Sequence, residues 1–344
     1  MSPPRTALAP WQQRVYDRVA AALDAGRLGH ALLFCGPALL GKRVVAERLA
    51  QRVLCQHRAP GQDACGHCRA CELFAQRHQL DPVETRPDGL PAHPFGRPGH
   101  PDAVFVGHVL NEKARPPKMR TEIVIEQIRQ LSERLSLTPQ YGTALVALLD
   151  PADAINTAAG NALLKTLEEP VSGRYLWLLS AQPGRLPATI RSRCQRIEFH
   201  LPPRDEAEAW LVGRGHDAGD ACEALDAARG HPGLADAWLT GDGLALRREV
   251  AGDLAALGKG RASPAEVAQR WSADDGLALR LRHAADLALA DASGLTDPAA
   301  ASSLAEWFDK ANRTRDLLRT TVRADLAVVE LLLAWRKRAR RQGV

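Results

Sequence analysis

The sequence predicts an α/β protein that begins with a parallel-sheet domain of the phosphate-loop type and continues as helices alone. The first indication is the apolar run 31–35, which is typical of a buried strand and leads into a glycine-bounded loop and a helical pattern. Further apolar runs at 143–149 and 175–180 alternate with helical patterns, as expected for a sheet of parallel strands. From Leu201 onward the hydrophobic spacing indicates helices.

Length and composition favour a helix-rich, soluble, intracellular protein. With 344 residues the chain is long enough for two or three domains, and 45% hydrophobic residues supply sizeable cores. The formal net charge of +5 permits a polyanionic partner without requiring one. No apolar run approaches the ~18–20 residues of a membrane span, and none near the amino terminus is typical of a signal peptide. We therefore expect a cytoplasmic protein without a membrane partner.

A first helix over 11–25 and a strand over 31–35 are predicted to precede the loop Gly36-Pro37-Ala38-Leu39-Leu40-Gly41-Lys42-Arg43. Several backbone N–H groups of such a loop can point at one anion, and the helix that follows over 44–54 adds the dipole of its amino terminus. Position 43 of such a loop carries a hydroxyl that holds Mg²⁺, and here it is arginine. The sequence thus predicts a nucleotide-binding type of loop that lacks the hydroxyl for Mg²⁺.

Four of the seven cysteines lie close together directly after this helix, at Cys55, Cys65, Cys68 and Cys71. Two residues between cysteines allow neighbouring thiolates to reach one tetrahedral ion, which predicts a structural zinc site with no open position for chemistry. An iron–sulfur cluster and unmetallated thiols remain as alternatives, although no further Cys-Pro follows as in ferredoxins. His67 is interpreted as a turn residue beside the site.

The next part of the chain alternates loops with short elements. Residues 79–100 are rich in Pro, Gly and His and predict a long surface loop. A short strand is predicted over 103–106, and a basic, proline-broken loop over 111–120 follows it. Apolar residues then recur at helical spacing over 123–135, which predicts an amphipathic helix.

The strand predicted over 143–149 ends at Asp150, and an acidic residue there is where a phosphate-loop ATPase holds Mg²⁺. The next residue, Pro151, offers no acid–base group. Asp153 is expected to cap a helix over 153–169. The predicted but degenerate nucleotide-binding residues are Gly36, Gly41, Lys42, Arg43 and Asp150.

Two more strands, over 175–180 and 195–199, are predicted to complete the sheet. At the end of the first of them, Ser180 or Gln182 could face a γ-phosphate, and a strand-end hydroxyl that bonds the nearby backbone is the alternative. Arg193 stands between the two strands and, taken alone, is interpreted as a structural cation that pairs with a helix end. The all-helical remainder falls into a small bundle over 204–240 and a second set of helices over 244–340, with a basic end at 335–341 that suits the helix dipole.

Several of these motifs together resemble the bacterial AAA+ clamp-loader family, over roughly residues 11 to 240. The resemblance implies an AAA+ domain over 1–200 with an inserted zinc module at 55–71, a helical lid domain over 201–242 and a helical collar domain for oligomerisation over 243–344. The motifs that carry it are Gly29-His30-Ala31-Leu32-Leu33-Phe34, the four-cysteine module, His100-Pro101-Asp102, Asn161-Ala162-Leu163-Leu164-Lys165-Thr166-Leu167-Glu168-Glu169-Pro170 and Ser192-Arg193-Cys194.

Departures from the ATP-hydrolysing members of the family indicate which kind of subunit this is. Those members carry Ser or Thr at position 43, a glutamate after the Asp150 position and an arginine shortly after the lid glycine. The chain has Arg43, Pro151 and the stretch Gly230-His231-Pro232-Gly233 instead. The resemblance therefore implies a stator subunit that does not hydrolyse ATP, and nucleotide binding by this chain is left open.

In this family the arginine of Ser-Arg-Cys acts on the ATP of a neighbouring subunit, so the resemblance implies that Arg193 is a trans-acting arginine finger. The implied partners are gamma/tau and delta subunits, and through them the sliding clamp (beta) and primer–template DNA. The chain would serve DNA replication as part of a DNA polymerase holoenzyme, a nucleotidyltransferase, in the bacterial nucleoid-associated replisome.

Two alternatives stand beside the stator. One is a catalytically active, gamma/tau-like ATPase subunit of the same loader that tolerates Arg43, because Lys42 and the glycines are retained. The other is a zinc module that binds nucleic acid by itself, which is disfavoured because Phe74 is the only aromatic residue close to the cysteines.

Overall fold

A computed structural model describes residues 7–59, 61–78, 97–111, 115, 118–142, 144–318 and 322–341 of the chain. The loop predicted over 79–100 lies mostly outside the described residues, as does the middle of the loop predicted over 111–120. The chain divides into two compact units. The first spans Met1–Trp210 and His231–Gly233, and the second spans Leu211–Gly230 and Leu234–Val344.

The first unit is built on a five-stranded parallel sheet with the strand order β4-β7-β8-β1-β9. The remaining strands form two short antiparallel pairs, β2 with β3 and β5 with β6. The described strands are β1 (Ala31–Cys35), β2 (Arg77–His78), β3 (Arg97–Pro98), β4 (Ala103–Val106), β5 (Leu110–Asn111), β6 (Lys118–Met119), β7 (Leu145–Leu149), β8 (Arg174–Ser180) and β9 (Gln195–Glu198).

The predicted helices occur in the predicted order, and two further helices, α3 and α6, were not predicted. The boundary between the two units falls within α7 and within α9. The described helices are α1 (Pro10–Asp24), α2 (Lys42–Leu54), α3 (Arg69–Ala75), α4 (Ile125–Ser136), α5 (Thr157–Glu168), α6 (Ala188–Arg191), α7 (Arg204–Gly213), α8 (Ala218–Ala227), α9 (Pro232–Thr240), α10 (Gly243–Gly258), α11 (Pro264–Trp271), α12 (Leu277–Ser293), α13 (Pro298–Leu317) and α14 (Ala324–Arg341).

Helices cover both faces of the sheet, which explains why its central strands are apolar without alternation. On one face, Leu32 and Phe34 of β1 share a core cluster with Val45 and Leu49 of α2. On the other face, Leu33 joins a cluster that includes residues of α4 and α5. The predicted α/β class with a parallel sheet is confirmed. Because β1, β7 and β8 run parallel, the loop after β1 and the residue after β7 lie at the same edge of the sheet.

The predicted start of α5 is wrong, and the structure shows why. The helix begins at Thr157, and Asn156 is its N-cap, because the side chain of Asn156 accepts a hydrogen bond from the Ala159 backbone N–H at 3.0 Å. Asp153 does not cap this helix. Its carboxylate accepts a hydrogen bond from the backbone N–H of Ala181, just beyond β8, at 3.0 Å. Both residue types are good caps, so the sequence pattern alone does not choose between them.

The second unit, in its described residues, consists of helices and the turns that join them. Its core is centred on Trp271, which is fully buried, together with aliphatic residues of α12 and α14. Trp307 and Trp335 meet edge to face with ring centroids 4.7 Å apart, and Trp335 donates to the Leu254 carbonyl at 2.8 Å. No helix among the residues described combines the length and apolar character that crossing a bilayer requires.

Candidate functional site

The loop between β1 and α2 depends on its two end glycines for its backbone conformation. Gly36 has a φ of +138° and Gly41 a φ of +85°, both in the region that favours glycine. A Cβ on Gly36 would lie 2.3 Å from the Phe199 carbonyl oxygen, and one on Gly41 would lie 2.1 Å from Nε2 of Gln12. The predicted glycines therefore allow the loop to pack closely against the rest of the unit.

Neighbouring residues also fix the loop from outside. Trp11 Nε1 and Gln12 Nε2, at the start of α1, both donate to the Leu40 carbonyl, at 3.1 and 3.2 Å. Gly233 approaches the loop so closely that a Cβ there would lie 2.0 Å from the Leu39 carbonyl oxygen. These contacts were not predicted, because they join residues that are distant in the chain.

Lys42 is turned back onto its own loop. Its ammonium donates to the Gly36 carbonyl at 2.8 Å and to the Pro37 carbonyl at 2.6 Å, and the residue is only 8% exposed. Burial lowers the pKa of Lys42 below its ordinary value, although the charges of Asp150 and Asp153 oppose this shift. Two of the three donors of the ammonium therefore serve the loop itself.

The Arg43 guanidinium lies between two carboxylates of its own chain. Its Nε donates to Glu47 Oε1 at 2.8 Å, and its Nη1 lies 3.4 Å from Asp150 Oδ2. The same guanidinium stands over the ring of Phe105, 5.5 Å from the centroid. The predicted Lys42, Arg43 and Asp150 are thus brought together, with an arginine cation where the loop's metal-holding hydroxyl would be. Glu47 was missed, although its position four residues after Arg43 on a helix is a recognisable signal.

Two other polar side chains at this edge of the sheet, Asp153 and Ser180, accept hydrogen bonds from backbone N–H groups. Asp153 accepts from Ala181, as described above, and Ser180 Oγ accepts from the Gln182 backbone N–H at 3.1 Å. Ser180 is 1% exposed. The structure thus favours the local backbone role for this hydroxyl over a phosphate-facing one.

The four predicted cysteines form one cluster, in which all the sulfur atoms lie within 4.8 Å of one another. The Sγ–Sγ distances are 3.6 Å for Cys55–Cys65, 3.9 Å for Cys55–Cys68 and 4.0 Å for Cys65–Cys71. A tetrahedral ion with metal–sulfur bonds of about 2.3 Å separates its sulfurs by about 3.8 Å. The donor set therefore fits a four-coordinate metal.

The surroundings of the cluster act differently on its members, since burial raises the pKa of Cys55 and Cys71 while backbone N–H groups favour a thiolate at Cys68. The Cys65 N–H points at Cys55 Sγ and the Cys68 N–H at Cys65 Sγ, both at 3.3 Å. Burial opposes ionisation of Cys68, but the backbone N–H groups of Cys71 and Gln56, with the neighbouring thiols, lower its pKa to about 6. His67 Nδ1 donates to the Cys65 carbonyl, 2.9 Å away, as expected for a turn residue.

A network of charged side chains joins the cysteine module to α1 and α2. It links distant parts of the chain and was not predicted from the sequence. Its centre is Asp63, which lies in the loop between Cys55 and Cys65. The carboxylate of Asp63 receives Arg52 at 2.7 Å, Arg48 at 3.0 Å and the Tyr16 hydroxyl. Burial, with the nearby Asp63 carboxylate, raises the pKa of Tyr16 to about 12. The phenol thus remains a proton donor to the network.

Arg193 lies on the surface, 36% exposed, one residue beyond the C-cap of α6. Its Nη1 donates to the Thr189 carbonyl at 2.9 Å, and its Nη2 lies 2.7 Å from Glu168 Oε1 at the end of α5. The side chain is therefore paired as a surface cation and is not enclosed in a core. These contacts join it to α5 and α6.

A protein-family model described as "DNA polymerase III, delta subunit" matches residues 11–203 of this sequence, the part that holds the sheet, the loop and the cysteine cluster. The chain belongs to this family. The DNA polymerase III subunit delta' of Pseudomonas aeruginosa is 36% identical over 240 residues, which cover 70% of this chain and 63% of that protein. The subunit delta' of Escherichia coli is 31% identical over 247 residues, which cover 72% of this chain and 65% of that protein.

These matches confirm the resemblance predicted from the motifs to the delta' members of the DNA polymerase III family. The matched part of the chain spans just under two thirds of the length of each of these relatives. Among solved structures, a gamma subunit-related protein of Thermotoga maritima covers 94% of this chain and 100% of its own, at 15% identity and a TM-score of 0.44. With a TM-score that low, no argument rests on that likeness.

Proposed function

We propose that this chain is the delta'-like stator of a bacterial DNA polymerase III clamp loader, a subunit that does not hydrolyse ATP. The pairing of Arg43 with Asp150 supports this proposal most directly, because a phosphate-loop ATPase holds its Mg²⁺ at these two positions. A guanidinium beside the carboxylate neutralises the charge that would attract the metal. Lys42 is likewise bonded to loop carbonyls rather than free for phosphate oxygens.

The chemical consequence is a strong loss of turnover. In phosphoryl transfer, Mg²⁺ bridges the β- and γ-phosphate oxygens and neutralises the charge that develops on them. Pro151 follows Asp150 and has no group that could orient an attacking water. A site that neither holds Mg²⁺ nor orients the attacking water lacks the main electrostatic contributions to catalysis. We therefore propose that this site does not hydrolyse ATP.

Arg193 is the residue by which this subunit would act on its neighbours. We propose that it reaches the ATP of an adjacent gamma/tau subunit as an arginine finger, where its planar cation neutralises charge on the γ-phosphate. Its surface position and partial exposure are compatible with that role. The chain would then be part of a DNA polymerase holoenzyme, a nucleotidyltransferase, without supplying the transfer chemistry itself.

The remaining parts of the proposal concern assembly. The helices over 243–344 would form a collar with gamma/tau and delta subunits, after an AAA+ domain over 1–200 and a lid over 201–242. Zinc, held by Cys55, Cys65, Cys68 and Cys71, would stabilise the first unit and take no part in chemistry, because all four tetrahedral positions are filled by protein. The assembled loader would place the sliding clamp on primed DNA in the bacterial cytoplasm.

The experiment that tests this proposal compares ATP hydrolysis by the purified chain with that of a reconstituted loader. The chain alone should show no turnover above background, and Arg193→Ala should lower the DNA-stimulated turnover of the assembled loader. Arg196→Ala is the matched control, because it removes an exposed arginine three residues away that pairs with Glu198. Turnover by the chain alone at the rate of an ATPase subunit would instead favour the gamma/tau-like alternative.

A further inference from the structure

The contact between Glu168 and Arg193 points to a second residue that acts on the proposed finger. Glu168 is the last residue of α5, and its Oε1 lies 2.7 Å from Nη2 of Arg193. Side-chain exposure is 36% for the arginine and 49% for the glutamate. An ion pair this exposed contributes little to stability, so its main effect is on where the guanidinium points.

The backbone on both sides of this pair is held by buried neighbours. Glu168 follows Leu167, which is 3% exposed, and Arg193 precedes Cys194, which is 8% exposed. Both neighbours belong to one core cluster together with Ile190 of α6, which is fully buried. The Arg193 backbone N–H also donates to the Ile190 carbonyl at 3.1 Å. The two side chains therefore start from fixed positions.

Two contacts orient the guanidinium within this frame. Nη2 is held by Glu168, and Nη1 donates to the Thr189 carbonyl at 2.9 Å. A guanidinium carries five N–H donors in a rigid plane, so two bonds from different nitrogens fix the plane while about three N–H groups are left over. A free arginine side chain gives up rotamer entropy when it is ordered, and a side chain that is already oriented gives up less.

We propose that Glu168 is a positioning residue, which holds Arg193 so that its remaining N–H groups face the triphosphate of the neighbouring subunit. This inference rests on the proposed function, since it assumes that Arg193 acts in trans. Glu168 acts through its hydrogen bond to the finger and does not touch the nucleotide. An oriented finger needs less reorganisation when the neighbour's ATP arrives, which is how fixed donors contribute to catalysis.

The test uses the reconstituted loader and measures its DNA-stimulated ATPase. For wild type and for each variant, the Arg193-dependent turnover is this ATPase rate minus the rate of the loader that contains Arg193→Ala. Glu168→Ala should lower this quantity by about 3- to 10-fold, as expected for the loss of orientation of one long side chain. Glu168→Gln should retain most of it, because the amide oxygen still accepts a hydrogen bond. Glu169→Ala removes the adjacent exposed carboxylate and should leave turnover unchanged. Incorporation of each variant into the loader is checked by native mass spectrometry.

Each result separates this inference from the function on which it rests. If Arg193→Ala lowers turnover and Glu168→Ala does not, the positioning role is wrong and the finger remains. A rise in turnover with Glu168→Ala would show that the carboxylate restrains the finger instead, and would also overturn the inference. Equal losses in Glu168→Ala and Glu168→Gln would assign the effect to charge and reject positioning by hydrogen bond. If Arg193→Ala has no effect, both the finger and its positioning residue are rejected.

Discussion

Nη1 of Arg43 lies 3.4 Å from Oδ2 of Asp150, across 107 residues of sequence. The two residues stand at the start of α2 and directly after β7, at one edge of the parallel sheet. A loop arginine thereby neutralises the carboxylate that would otherwise be available to a divalent cation.

Replacing Arg43 by Ser should make the site receptive to metal and nucleotide. The change supplies the missing hydroxyl and leaves the carboxylates of Glu47 and Asp150 without the guanidinium between them. We expect Mg²⁺-dependent binding of a fluorescent ATP analogue to improve by about tenfold or more over wild type. Arg18→Ser, an exposed arginine on α1, is the control. Identical affinities for wild type and Arg43→Ser, with and without Mg²⁺, would contradict this interpretation of the pair.

The cysteine cluster should carry about one zinc ion per purified chain. Cys68→Ser removes one of four ligands and should abolish stoichiometric zinc, as measured by elemental analysis together with native mass spectrometry. Cys222→Ser, outside the cluster, should retain the metal. Iron in place of zinc would show that the metal assignment is wrong, and full zinc occupancy in Cys68→Ser would show that the ligand assignment is wrong.

Asp63→Ala should destabilise the first unit by about 1–3 kcal/mol, because Arg52, which is 4% exposed, loses one of its two carboxylate partners. Urea unfolding followed by tryptophan fluorescence measures the change. Asp17→Ala, which removes an exposed carboxylate from α1, should have little effect on stability. The prediction fails if the two variants unfold at the same urea concentration.

The stability of the second unit should fall at mildly acidic pH because of His283. This side chain is fully buried, and burial, with the nearby Arg247 and Arg282, lowers its pKa from 6.5 to about 4. Between these two pH values the unfolded chain binds a proton that the folded chain does not. The free energy of unfolding therefore decreases as the pH falls from 6.5 to 4, by up to about 3 kcal/mol.

His283→Leu tests this dependence because it removes the titrating group. Neither ring nitrogen of His283 has a hydrogen-bond partner of good geometry in the described part of the chain, and the nearby Gly243 backbone opposes the lowered pKa only in part, so the apolar side chain should cost little at pH 7. Urea unfolding between pH 7 and pH 4 should show a shallower decline for this variant than for wild type. His200→Leu, which removes a side chain that is 79% exposed, should leave the decline as it is.

Local sequence patterns predict the scaffold well, because they report burial along a single element. The apolar runs give the core strands to within two residues, and β1 is as predicted, at Ala31–Cys35. The spacing of the cysteines predicts their common site for a similar reason, since three of the four ligands lie within seven residues. The choice between Asp153 and Asn156 as a helix cap depends on Ala181, which only the folded sheet brings near.

The charge pairs that decide the chemistry are harder to predict, because each joins distant parts of the chain. Nothing at position 43 signals Asp150, and nothing at position 193 signals Glu168, until the strands are arranged in order. The motif identifies Arg193 as exceptional, while only the structure identifies its partners. The same holds for Asp63, which looks like an ordinary loop residue in the sequence.

Helix α2 starts with Lys42 and Arg43 and ends immediately before Cys55. At 1.5 Å per residue, a helix of this length is a stiff rod of about 20 Å with a cation pair at one tip and a thiol of the cysteine cluster at the other. Oxidants that attack those thiols would consequently act at the far end of the same helix that begins at the phosphate-type loop.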